Sequence, residues 1–150
     1  DWGKAFPAGY IWFQSNHFDT PRVCLTASIA MIPWLGRSFR GLIAGLWLDN
    51  KLYRFATYTG AHTEHLALRE DKVDWVITDR RYRLELQVLQ AAGGLIYGPT
   101  HQHMGRRVDE TLDAVLHVRL SGHSGQVVFE GTGRHAGLEI NGDIPRLLVG

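Results

Sequence analysis

The chain has one cysteine, Cys24, so no internal disulfide can staple it, and the thiol reads as a buried structural residue. It has no apolar run near the roughly 18 residues that a membrane helix needs, which excludes a helical transmembrane segment. It also lacks an excess of either charge, since 16 Lys and Arg face 15 Asp and Glu for a formal net charge of +1. That balance supplies no field to gather nucleic acid or to draw the protein onto an anionic surface, so any partner is recognised locally. There is no initiator methionine and no signal-like start. A chain opening on Asp1-Trp-Gly reads as a fragment or a processed form, and its compartment stays open between soluble and membrane-peripheral. Sustained helical spacing is missing as well, and so are repeats, linkers and low-complexity tracts.

What is present is one domain's worth of chain: 150 residues, 45% hydrophobic, enough to bury a core unaided. Period-two alternation recurs from end to end between Gly, Asn, Asp and Pro punctuation. Leu112, Ala114, Leu116, Val118 and Leu120 share one face of the clearest strand, which Ser121 to Gly125 turns into Gln126 to Arg134. Tyr82, Leu84, Leu86 and Val88 alternate with Arg83, Glu85 and Gln87. A hairpin joins Leu46–Asp49 to Leu52–Tyr58 around Asp49-Asn50, both tolerant of positive φ. Further strands are expected over Tyr10–Phe18, Val23–Ile32, Arg40–Leu46, His62–Leu68, Lys72–Thr78 and Leu138–Asn141. Gly105 to Leu112 is the most helix-permissive stretch, or a loop entering a strand. An all-β, antiparallel barrel of about ten strands follows, because closure removes exposed edges and can hold a small ligand.

Metal, phosphate and nucleophile motifs give little. His101-x-His103 and His62-x-x-His65 have metal-like spacing without a supporting carboxylate, and exposed histidines are expected rather than a metal site. Gly131-Thr-Gly133 lies in a strand pattern with no helix after it, so it is no phosphate loop. Arg80-Arg81 and Arg106-Arg107 read as solvated charge beside turns, not a nucleic-acid footprint. No cofactor is implied.

The N-terminal stretch is more informative. Asp1 to Pro7 and Tyr10 to Phe18 set Gln14, Asn16 and His17 among aromatics, as one wall of an apolar pocket would. Alternation puts Tyr10, Trp12, Gln14, Asn16 and Phe18 on one face and Ile11, Phe13, Ser15 and His17 on the other. Asp109, Glu110, Asp113 and Glu139 are candidate acids, Glu139 facing away from Leu138 and Ile140. A carboxyl placed in an apolar pocket holds its proton to higher pH and can donate it.

Trp2-Gly-Lys-Ala-Phe-Pro7, Trp12-Phe-Gln-Ser-Asn-His-Phe18, Ile32-Pro-Trp-Leu-Gly36, Tyr53 to Gly60, Tyr82-Arg-Leu-Glu85, Glu110-Thr-Leu112, Phe129 to Gly133 and Gly137-Leu-Glu139 together resemble the tocopherol cyclase-like family. That family belongs to a wider lipocalin-like group with carotenoid 1,2-hydratases. The resemblance is to the second of two lipocalin-like halves, so residues 1–150 are expected to form one such barrel. It implies an apolar prenyl quinol or isoprenoid as ligand, and either a homodimer or an N-terminal half supplied from elsewhere. The implied reaction protonates a trisubstituted alkene, and a phenol oxygen captures the tertiary cation to give a chromanol. Chemistry then suggests Glu139 or Asp109 as the acid, Trp12 and Tyr58 as lining or cation-stabilising groups, and Gln14, Asn16 and His17 as phenol-orienting groups. The alternatives are a non-catalytic carrier of hydrophobic small molecules and a structural half-protein that dimerises.

Overall fold

The computed structural model describes residues 7–69, 72–90, 94–99 and 104–149, with backbone alone over 94–99 and 104–109. Eleven strands join in one antiparallel sheet: β1 (Gly9–Ser15), β2 (His17–Phe18), β3 (Val23–Trp34), β4 (Arg37–Leu48), β5 (Lys51–Ala56), β6 (His62–Arg69), β7 (Lys72–Thr78), β8 (Tyr82–Leu89), β9 (Gly94–Pro99), β10 (Met104–Gly122) and β11 (Val127–Gly142). The order is β5-β4-β3-β1-β11-β10-β8-β7-β6, with β2 paired to β11 and β9 to β10. The sheet curls strongly into a half-barrel, in keeping with the all-β antiparallel expectation. The strands β5 and β6 stand at the two ends of that order, joined by a short 3₁₀ turn at Thr57–Thr59.

Alternation decides which side chains turn inward. Ile11, Phe13, Leu25, Ile29, Leu46, Phe55, Trp75, Ile77, Leu84, Leu116, Leu120 and Leu138 are all less than 2% exposed or at about that limit. Each such burial contributes about 1.5–3 kcal/mol relative to exposure. The Phe13 and Trp75 rings meet edge to face, 6.1 Å between centroids. The Trp75 indole N–H, which would be costly to bury unpaired, donates to Thr63 Oγ1 at 3.1 Å. The concave side is thus packed with its own side chains.

Turn chemistry fixes the pairing. Asp49 and Asn50 adopt φ of 44° and 70°, the double left-handed pair that a tight hairpin between β4 and β5 requires. The strand expected to run to Tyr58 stops at Ala56. Thr57 Oγ1 accepts the Leu42 N–H (2.8 Å) and Thr59 Oγ1 accepts the Ala56 N–H (3.2 Å), pulling this segment into the 3₁₀ turn.

Four further expectations are corrected. Gly105 to Leu112 is strand, because β10 gains partners on both sides, β9 and β11, and pairing overrides local helix tolerance. Leu112 does not share the inward face of Ala114 to Leu120: a register shift between Thr111 and Ala114 buries Thr111 and leaves Leu112 72% exposed. Gln126–Arg134 and Leu138–Asn141 are one strand, β11, accommodating His135 at φ 46°. Cys24 is exposed rather than buried, since it alternates with inward Val23 and Leu25. The chain also forms a six-residue helix, α1 (Ile144–Val149), capped where Asp143 Oδ1 accepts the Arg146 N–H. Leu147 from α1 is fully buried in the core.

Candidate active site

The central strand β1 lies between β3 and β11, and β11 lies beside β10, so four strands assemble one outer-face surface. Register sets Tyr10 between Ala30 and Asn141, and Trp12 between Ser28 and Glu139. Glu139 in turn faces Glu110. Pro7, Tyr10, Trp12, Ser28, Ala30 and Glu139 line a cleft of about 320 Å³ on this outer face.

The Tyr10 phenol donates a hydrogen bond to Glu139 Oε1. Tyr10 is 7% exposed, and that burial is the first reason its pKa rises well above the ordinary phenol range. The hydrogen bond to Glu139 raises it further, the Asn141 side chain pulls the other way, and the Glu139 and Glu110 charges add smaller upward contributions. Tyr10 therefore stays a proton-bearing donor fixed on the carboxylate. Asn141 is buried beside it, with no hydrogen-bond partner for its Oδ1 among the described residues. The Trp12 ring lies across Gly137, where an added Cβ would stand 3.3 Å from Cζ3 and 3.8 Å from Leu112 Cδ2. A glycine at this position lets the indole rest close to the β11 backbone.

The other expected residues sit elsewhere. Gln14 and Asn16 are exposed and line a second cleft of about 420 Å³ with Cys24, Thr26, Trp47 and Leu52. His17, in β2, is exposed and meets the His135 ring edge to face at 5.7 Å. Tyr58 is 75% exposed on the 3₁₀ turn. The Asp109 backbone pairs with Ile140, so the register sets Glu110 rather than Asp109 across from Glu139; the Asp109 side chain lies outside the described residues. Asp1 to Phe6 and the His101-x-His103 pair also lie outside them, as do the side chains of Arg106 and Arg107. Trp12 and Glu139 are brought together, then, and their companions are Tyr10, Ser28, Ala30 and Asn141. Alternation put Tyr10 on the Trp12 face, but nothing local signals that residue 139 pairs opposite.

Among the described residues no three or more His, Cys, Asp and Glu gather as a metal site would need. No helix among them is long and apolar enough to cross a membrane.

The fold is an open antiparallel half-barrel with a carboxyl group, a buried phenol and an indole gathered in one outer cleft. The family model described as tocopherol cyclase-like matches residues 1–142, and the chain belongs to that family. No curated protein and no solved structure matches it.

Proposed function

We propose that the chain binds an apolar prenyl quinol or related isoprenoid at the Tyr10–Trp12–Glu139 cleft and promotes its acid-catalysed closure to a chromanol. The observation that carries this reading is the Tyr10 hydroxyl bonded to Glu139 beside the Trp12 ring. In this reading Glu139 reacts in its carboxylic-acid form: Oε1 accepts from Tyr10, and the proton carried by the other oxygen goes to the less substituted alkene carbon, leaving a tertiary cation. Trp12 offers the ring face that steadies such a charge. The substrate's phenol oxygen closes on the cation and its proton returns to Glu139, so the reaction is a net isomerisation with no redox partner. Tyr10, held as a donor, orients the carboxyl group, and the Asn141 Oδ1 is an acceptor available nearby. Asp109 is the second candidate acid, on the neighbouring register pair with Ile140.

The cleft is open, whereas cation chemistry needs water kept out. A second copy of the chain or an N-terminal lipocalin-like half would supply the cover over Leu112 and Trp12.

The test is turnover of a prenyl quinol by the wild type, Glu139→Gln and Asp109→Asn. Loss of an acid is expected to slow the reaction by about 10²–10⁴-fold, with quinol binding retained. If neither substitution changes turnover, the acid assignment fails. The packed concave side and the small outer cleft also suit a carrier without a poised acid. Binding of several prenyl quinols with no turnover would favour that reading.

A further inference from the structure

A cavity of about 720 Å³ opens between the end strand β5 and the β7–β8 turn. Its walls carry four cations, Lys51, Arg54, Arg80 and Arg81, and the single carboxylate of Asp79. That carboxylate is already engaged, with Asp79 Oδ1 accepting the Arg81 N–H at 2.7 Å and the Tyr82 N–H at 2.8 Å. The same bonds form the tight turn that holds Arg80 and Arg81 at the cavity. Arg22, Arg83, Arg119 and Arg134 each pair with a carboxylate, but none of the four cavity cations does so among the described residues. Lys51 instead sits over two rings, 4.4 Å from the Tyr53 centroid and 5.8 Å from that of Tyr82. Those rings meet edge to face at 5.1 Å and join the end strand β5 to the start of β8.

Four exposed cations around one hollow, none paired with a carboxylate among the described residues, give it a positive potential that favours an anion. A monocarboxylate would offset one of them, whereas a phosphate or diphosphate matches several, and arginine forks suit its oxygens. Leu52, Tyr53, Phe55 and Tyr82 line the same hollow, whose volume exceeds what a phosphate alone would fill. We propose that this cavity binds a phosphate or diphosphate ester with an apolar body, the phosphate held by Arg80, Arg81, Arg54 and Lys51 and the body by the tyrosines. The cavity shares no lining residue with the Tyr10–Glu139 cleft, so the inference stands apart from the proposed cyclisation.

Inorganic pyrophosphate titrated calorimetrically into the whole chain at low ionic strength is the first probe. The variants are Arg80→Gln/Arg81→Gln at the cavity and Arg37→Gln/Arg69→Gln away from it, which remove equal charge from exposed positions. Circular dichroism checks that both fold. The cavity pair is expected to weaken binding at least about tenfold, and the remote pair to stay within about twofold. A second arm sediments the protein with vesicles of phosphatidylcholine with or without phosphatidic acid. Binding to phosphatidic acid that the cavity pair abolishes and the remote pair keeps identifies a lipid headgroup as the source. Pyrophosphate binding without vesicle binding identifies a free phosphorylated molecule. Binding of neither probe, or equal weakening by both variant pairs, overturns the proposal.

Discussion

Replacing Tyr10 by Phe removes one hydroxyl from a buried ring and leaves the ring's packing in place. The lost bond runs to the Glu139 side chain, and hydrogen bonds to charged groups contribute about 1.5–3 kcal/mol. The variant should therefore be less stable by about that amount near neutral pH, measured by urea unfolding followed through tryptophan fluorescence. A second signature separates this cause from simple packing loss. Burial and the Glu139 bond raise the Tyr10 pKa in the folded state, so the unfolded chain releases this proton first. Stability tied to a raised pKa is complete below the unfolded value, near 10, and declines as pH climbs toward the folded value. The unfolded state then binds fewer protons than the native state, and the slope is about −1.4 kcal/mol per pH unit. The Tyr10→Phe variant has no such proton, so the wild-type advantage should narrow between pH 10 and pH 11 by about 1 kcal/mol. Equal stability of wild type and Tyr10→Phe at neutral pH, or a difference unchanged from pH 8 to pH 11, would refute the assignment.

Two stability predictions test the fold that presents the cleft. Leu116→Ala should cost about 2–5 kcal/mol because Leu116 is fully buried, whereas Leu112→Ala, on the exposed side of the register shift, should stay within about 0.5 kcal/mol by thermal or urea unfolding. Equal costs would restore the simple alternation that places both in the core. Asn50→Ala should destabilise by about 1–2 kcal/mol, since a residue at φ 70° is strained without glycine or asparagine there. Asn50→Gly should be neutral or better, and an Ala variant as stable as wild type would contradict the turn geometry.

The sequence carried the strands wherever one face was buried along an unbroken register. Leu84, Leu86 and Val88 alternate in the chain and point into the core, and Glu139 faces away from Leu138 as alternation required. Alternation failed at Leu112 because a bulge is a one-residue slip, and a slip reverses every side chain beyond it. Tyr58 left its expected strand because the Thr57 and Thr59 hydroxyls offered the backbone other partners. The six residues of α1 are too few to display a helical period. The Tyr10–Glu139 bond, joining residues 129 apart, was illegible for a different reason: it depends on β11 being the neighbour of β1, which no local pattern encodes.

That neighbour relation also explains why polar chemistry collects on the outer face. Inward positions on β1 and β11 are taken by Ile11, Phe13 and Leu138, where an ionisable group would be desolvated without relief. The outward row of the same two strands is covered only partly, leaving Trp12 and Glu139 half-buried and Tyr10 buried beside them. A carboxylate at such a boundary keeps a hydrogen-bond donor and an apolar wall together, while the packed side holds the strands that carry both at fixed register. Glu139→Gln, which keeps an acceptor for the buried Tyr10 hydroxyl, should thus cost less stability than Glu139→Ala, which removes that bond and should cost about 1–3 kcal/mol, and Leu138→Ala on the packed side should cost about 2–5 kcal/mol, all read by urea unfolding.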